Sequence, residues 1–345
     1  MPPRVLLAAG LCFFTGLVAN DCDAQTDLRH VDPDDRTGSS RAVIVNDVPL
    51  IHTTQFLPLN SSGVVVGAGR ARDQAEHVLK NIATALAESQ SSLDRLAKLN
   101  IYVTDAASVE AIEQALANLL PRSSRPAVAF VVTRLPHPEA LVAMDAVATA
   151  PLDPGRAVKL VRTTKLHDGG TSHATVMPQG TRIYVAGQAE KGATLPEAAR
   201  RTLESLRATL KFLGVRETDV AQLKAFLKPM TDAGDVRREL ANFFGAQPVP
   251  PVAFVEWESS LPIEIELVAW AGRDRSGDPI EFLTPPGMTA SPVYSRVARI
   301  NHSRTIYVSG LYGSKATDAA GETREIFENQ MGTGTSRTRS QSPFS

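Results

Sequence analysis

Cysteine is almost missing from this chain. Of 345 residues, only Cys12 and Cys22 carry a thiol. Both lie in an N-terminal stretch that reads as a removable leader, so the processed chain is expected to have no disulfide, no thiolate metal site and no cysteine nucleophile. Net charge is missing as well. Taking Arg4 from the 36 basic residues, and Asp21 and Asp23 from the 37 acidic ones, leaves 35 of each. With no global field to attract a polyanion, nucleic acid is not an expected partner. No apolar run reaches membrane-spanning length. The longest, "VLLAAGLCFFTGLVA" from Val5 to Ala19, follows a single Arg4; it is too short to span and suits a signal-peptide core, the alternative being a buried N-terminal helix. Cleavage after Ala24 is favoured over Ala19. Asn20 and Asp21 fit lipid attachment at Cys22 poorly, so the expected product is exported to the periplasm or outside the cell, with no stable membrane insertion after processing.

Other absences narrow the chemistry. His167 and His173 in "HDGGTSH" have no third ligand beside them, so no metal is expected. No G-x-S-x-G word occurs. "VVVGAGRAR" (Val64 to Arg72) offers Gly67 and Gly69 but places Arg72 at the third glycine position, and no parallel-strand unit with an acidic residue follows. These glycines are assigned to a turn, and no cofactor is expected.

What is present is repetition. "PAVAFVV" (Pro126 to Val132) returns as "PPVAFVE" (Pro250 to Glu256). Around each copy the same programme runs in order: an opening hairpin, a helix, a buried strand, a second helix and two closing strands. The first copy has "RAVIV", "PLIHTTQF" and "GVVVGAGRA", a helix with Ala75, Val78, Leu79, Ile82, Ala85 and Leu86 on one face, "KLNIYVTD", a helix carrying Ile112 and Leu116, then "AVAFVVTRLP" and "ALVAMDAVA". The second has "RIYVAGQAE", a helix with Leu203, Leu206, Leu210 and Leu213, "LKAFLKPMTD", a helix around Val236 and Leu240, then "PVAFVEW" and "IEIELVAWAG". A third begins with "YSRVARI", "RTIYVSGLYG" and the helical "AAGETREIFEN". Fixed-period self-similarity of this kind is a tandem duplication. The expected organisation is a leader at 1–24, a linker at 25–43, units at 44–150 and 158–272, a linker at 273–291, a partial third unit at 292–330, and a tail at 331–345 that is disordered or frame-altered.

In "VAGQ" (Val185 to Gln188), "VSG" (Val308 to Gly310), "KLNIYVTD", "RPAVAFVVTRLP" and "LPIEIELVA", the chain resembles the RidA/YjgF family, which also carries endoribonuclease L-PSP labels. The resemblance covers both full units and part of the third. It implies an α+β, chorismate-mutase-like fold in each unit, with a mostly antiparallel sheet, two helices on one face, and three units arranged as a pseudo-trimer. It also implies cofactor-free hydrolysis of 2-imino or 2-enamino acids to 2-oxo acids and ammonia, in clefts between neighbouring units.

The family's arginine in "P-A-R" fixes a substrate carboxylate bidentately, which guanidinium geometry suits. Here that slot holds Val128 and Val252, or Ala127 if the first copy is shifted by one residue, while Arg125 falls on the other face of its strand. The family glutamate that handles water and departing nitrogen is matched by Glu264, with Ala143 in the first unit. The family tyrosine is matched by Tyr294, with Thr171 or Ser172 in the second unit. The turn that would bind substrate is matched by Gly187, Gln188, Ser309 and Gly310. Plain core or surface roles for Glu264, Glu266 and Tyr294 stand beside these assignments. The preferred reading is an exported, catalytically degenerate member acting as a small-molecule binder or assembly module that self-associates through its incomplete unit. The alternative is an imine or enamine deaminase whose site is completed by a full third unit or a partner chain.

Overall fold

A computed structural model describes residues 27–273, 277–302, 304–312 and 318–335. The leader and the tail beyond 335 lie outside the described residues. The first unit runs β1 (Leu28–Asp34), β2 (Ser39–Val45), β3 (Leu50–Thr53), α1 (Ala71–Glu88), β4 (Leu96–Val103), α2 (Val109–Leu119), β5 (Ala127–Val132) and β6 (Val142–Thr149). The second has the same order: β7 (Lys159–Val161), β8 (Ala174–Met177), β9 (Arg182–Gln188), α3 (Leu195–Leu213), β10 (Val220–Leu227), α4 (Ala233–Phe244), β11 (Val252–Glu256) and β12 (Ile263–Trp270). A third opens with β13 (Ile280–Leu283), β14 (Val297–Ile300), β15 (Thr305–Val308) and α5 (Ala319–Thr335).

Each helix forms where its apolar spacing demands. In α1 the predicted face (Ala75, Val78, Leu79, Ile82, Ala85, Leu86) is buried against the sheet. In α3, Thr194 caps the start and Gly214 ends the helix at φ 70, the left-handed geometry that a Cβ would penalise. The helix between β4 and β5 makes them parallel neighbours, while β6 returns antiparallel to β4. The result is α+β, with helices on one face of each mixed sheet. One core lies under α1 and α2 and another under α3 and α4.

Four sequence expectations are corrected. Residues 25–43 and 273–291 are not plain linkers, because β1 pairs with β2 and β13 pairs with β14. Nor do the second and third strands of a unit pair with each other as the expected hairpin requires. Instead β3 pairs with β8, β9 with β14, and β15 with β2, each third strand taking the second strand of another unit. In β3 both faces are buried, Leu50 toward the shared centre and Ile51 toward the helices, and pairing with β8 satisfies the backbone groups of its free edge. "GVVVGAGRA" is likewise a loop and not a strand, with Gly67 and Gly69 at φ 74 and 72. The helix α5 also carries regular structure into the first residues of the expected tail, as far as Thr335.

The inward faces meet in a shared centre containing Val43, Val45, Leu50, Ala127, Val147, Met177 and Trp270. Polar stitches cross it. Gln222 donates to the Thr53 carbonyl (2.9 Å) and accepts from His52 Nδ1 (3.4 Å). Arg182, almost wholly buried, donates to the Val48 carbonyl (2.6 Å) and to the Thr305 hydroxyl (3.0 Å). Burial lowers the His52 pKa to about 4, so the imidazole is neutral at the centre.

Candidate functional site: three clefts between units

Where one unit's turn meets the next unit's sheet, the chain forms clefts, and each differs in what fills it. In the first, the Gln55 N–H donates to the Val252 carbonyl (3.0 Å). The Gln55 side chain then continues the pairing, its amide donating to the Phe254 carbonyl (2.9 Å) and accepting from the Phe254 N–H (3.3 Å). The Thr54 hydroxyl also donates to the Val252 carbonyl (3.0 Å) and lies 3.1 Å from the Thr171 hydroxyl. Arg237 of α4 reaches the same cleft and stacks its guanidinium 4.7 Å from the Phe254 ring centroid. Burial lowers the Arg237 pKa.

In the second cleft, Ser309 and Gly310 press against β5. The Gly310 N–H donates to the Val128 carbonyl (2.8 Å), and the Ser309 hydroxyl accepts from the Val128 N–H (2.8 Å) while donating to the Ser40 carbonyl (2.6 Å). Lys98 donates to the Val308 carbonyl (2.7 Å); burial, reinforced by the charge of Lys224, brings its pKa to about 8. The Ser309 and Gly310 amides, expected to bind substrate, are thus occupied by the Arg41 and Val128 carbonyls.

The third cleft gathers Gly187, Glu264, Arg296 and Tyr294. A Cβ at Gly187 would overlap the Glu264 carboxylate, so only glycine lets that side chain lie across the turn. The Ala186 N–H donates to the Arg296 carbonyl (3.0 Å), and the Arg296 guanidinium sits 5.0 Å from the centroid of the half-exposed Tyr294 ring. Burial raises the Glu264 pKa, the charge of Glu266 adds to it, and Arg296 opposes it. Glu266 is raised by burial and held back by Lys224. Glu264 and Glu266 therefore line the cleft and inner face, and are not simply solvent-facing.

The structure thus brings Glu264 against Gly187, connects Tyr294 to them only through Arg296, and places Ser309 and Gly310 against β5 instead. Gln188 faces elsewhere, donating to the Thr209 hydroxyl of α3 (2.8 Å). Arg125 points away from the cleft into an ion pair with Asp35 (2.7 Å). His173 uses both ring nitrogens, accepting from the Thr163 N–H (3.2 Å) and donating to the His167 carbonyl (3.0 Å). Gln55 and Arg237 carry no motif and are missed by sequence reasoning. Register finds them: Met144 and Ile265 are equivalent, which sets Gln55 against Gly187, and Ile112 on Val236 sets Glu113 against Arg237.

The profile of the family described as Endoribonuclease L-PSP matches residues 32–150. The chain is also 33% identical, over 99 residues, to the 3-aminoacrylate deaminase RutC of Acinetobacter baylyi, covering 29% of this chain and 78% of that protein. The chain belongs to the RidA/YjgF family. Among solved structures, a YjgF-family protein from Neisseria meningitidis is 26% identical (36% of this chain, 97% of that one, TM-score 0.27). The Rid-family protein YyfB from Yersinia pestis is 22% identical (36% and 98%, TM-score 0.31). Within a RidA/YjgF chain, the apolar residues at 128 and 252 mark a departure, since that slot is where the resemblance expects the carboxylate-binding arginine. Both are buried.

Proposed function

We propose that this RidA/YjgF chain is a tandem duplication closed as a pseudo-trimer, exported and without deaminase chemistry, whose role is small-molecule binding and assembly. The cyclic pairing of each unit's third strand with the second strand of the next unit in the ring supports the pseudo-trimer. The single observation carrying the loss of chemistry is at β5 and β11, where Val128 and Val252 occupy the arginine slot and the neighbouring turns take up their backbone groups. Removing one partner of a buried charge pair costs about 2–5 kcal/mol, which is about 30- to several-thousand-fold in affinity. Assembly is supported by exposed Ile306 on β15, whose pairing among the described residues is with β2 alone, and by exposed Phe327 on α5.

The test is ammonia release from 2-imino acids by the purified protein. Release at the buffer rate supports the reading, and faster release overturns it. A second reading, hydrolysis in the third cleft, is favoured by Glu264 lying across Gly187, with Arg296 linking it to Tyr294. There the carboxylate anchor would come from a completed third unit or a partner chain, and Glu264→Gln would abolish any activity seen. Export is checked by N-terminal sequencing of protein recovered outside the cytoplasm, with Gln25 as the expected first residue.

A further inference from the structure

Although Gln55 closes the first cleft along β11, a cavity of about 60 Å³ remains beside it, with Thr54, Asn81, Thr171, Val252, Phe254 and Arg237 in its wall. One water needs about 10–15 Å³ of such space, so the cavity holds roughly four to six heavy atoms. Arg237 is the only arginine in this wall. Stacked on Phe254, a guanidinium keeps its N–H donors directed outward in its own plane, where a second planar group can meet them edge to edge.

That stack is the one electrostatic contact of Arg237 among the described residues. The nearby carboxylates are already engaged. Asp235 pairs with Arg238, Asp168 with Arg162 and the Gly170 N–H, and Glu256 with Arg134 and the Met230 N–H. A cation withdrawn from water without a counter-ion is costly, and an entering anion would offset that cost. One guanidinium balances one negative charge, which favours a monocarboxylate over a phosphate dianion. In the first unit the equivalent position is Glu113, so the helix arginine is a feature of the second unit and not of the first.

We propose that the cavity beside Phe254 binds a small monocarboxylate through a bidentate pair with Arg237, an anchor supplied by helix α4 in place of the β-strand arginine. This deepens the binding reading above and rests on it. The site is selective for charge and size: acetate and pyruvate fit, and larger acids do not.

The experiment is a titration of the full chain with acetate and with its neutral isostere acetamide at constant ionic strength, followed by thermal unfolding and by amide NMR shifts. Acetate is expected to raise Tm and shift residues around Phe254, and acetamide to do neither. Arg237→Lys, which loses the planar fork, is expected to weaken acetate at least about tenfold. Arg237→Leu should abolish binding, while Arg238→Leu on the exposed side should leave it intact. Equal binding of acetamide, tighter binding of inorganic phosphate, or undiminished acetate affinity in Arg237→Leu would each overturn the proposal. If Arg237→Leu does not fold, the acetate and acetamide comparison on the unmodified chain, with Arg237→Lys, decides it. Ammonia release is read separately, so its appearance would remove the non-hydrolytic reading without altering the acetate result.

Discussion

The first and second units bury the same faces and present opposite chemistry to their clefts. Leu99 and Leu223 occupy one register position and are both buried, as are Ile112 and Val236. At other matched positions the residues differ: Glu113 stands where Arg237 does, Ala143 where Glu264 does, Gln55 where Gly187 does, and His52 where Tyr184 does. The helix-facing positions tolerate little because any void or excess volume is felt by a close-packed core. A cleft position answers only to what the cleft must hold. The two units therefore share an order of elements while their clefts differ in chemistry.

The largest test of that comparison is in the cores. Leu99→Ala and Leu223→Ala should each destabilise by about 2–5 kcal/mol, measured by urea unfolding. Clearly unequal losses would break the equivalence. Next is pH. Because His52 stays neutral in the fold, the unfolded chain binds its proton more readily. Stability is thus full above pH 6.5 and is lost as pH falls toward 4. The loss should approach about 3 kcal/mol. His52→Gln should remove that slope, and Tyr184→Phe in the other unit should leave it unchanged.

The clefts give smaller effects. Gln55→Ala leaves the Phe254 backbone without partners and should cost about 1–3 kcal/mol. Ser309→Ala in the second cleft should cost a similar amount, and a difference would show that only one turn holds its units together. The smallest effect separates the two inward carboxylates. Glu266, raised by burial, favours the fold when protonated, so its contribution falls as pH rises through and above 4.5. Glu266→Gln should therefore raise the urea midpoint at pH 7 and leave it unchanged at pH 3. Asp145 occupies the equivalent place but accepts from Asn100 and Tyr102, so Asp145→Asn should lower the midpoint.

Much of this was legible in one dimension. The spacing of Ala75, Val78, Leu79 and Ile82, and of Leu203, Leu206 and Leu210, announces helices because burial of one face requires it. The echo of "PAVAFVV" in "PPVAFVE" announces two units, since strands of one fold bury alike. Glu264 and Tyr294 were visible through family words. Gln55 and Arg237 were not, because neither belongs to a word; each matters through what lies opposite in another unit. The expected hairpins failed for the same reason: local alternation shows that β2 and β3 are strands, but not which strand lies beside them.

Alone, then, the sequence determined the helices of the two units and most of their strands, the two cores, the near-absence of thiols and the apolar residues at the arginine slot, because each depends on residue type and on spacing within a few turns or strands. The tertiary structure alone decided that strands are exchanged between successive units, that Gln55 seals one cleft, and that Arg237 faces a cavity without an acid beside it. Those outcomes depend on contacts between residues far apart in the chain, as in the 199 positions separating Gln55 from Phe254.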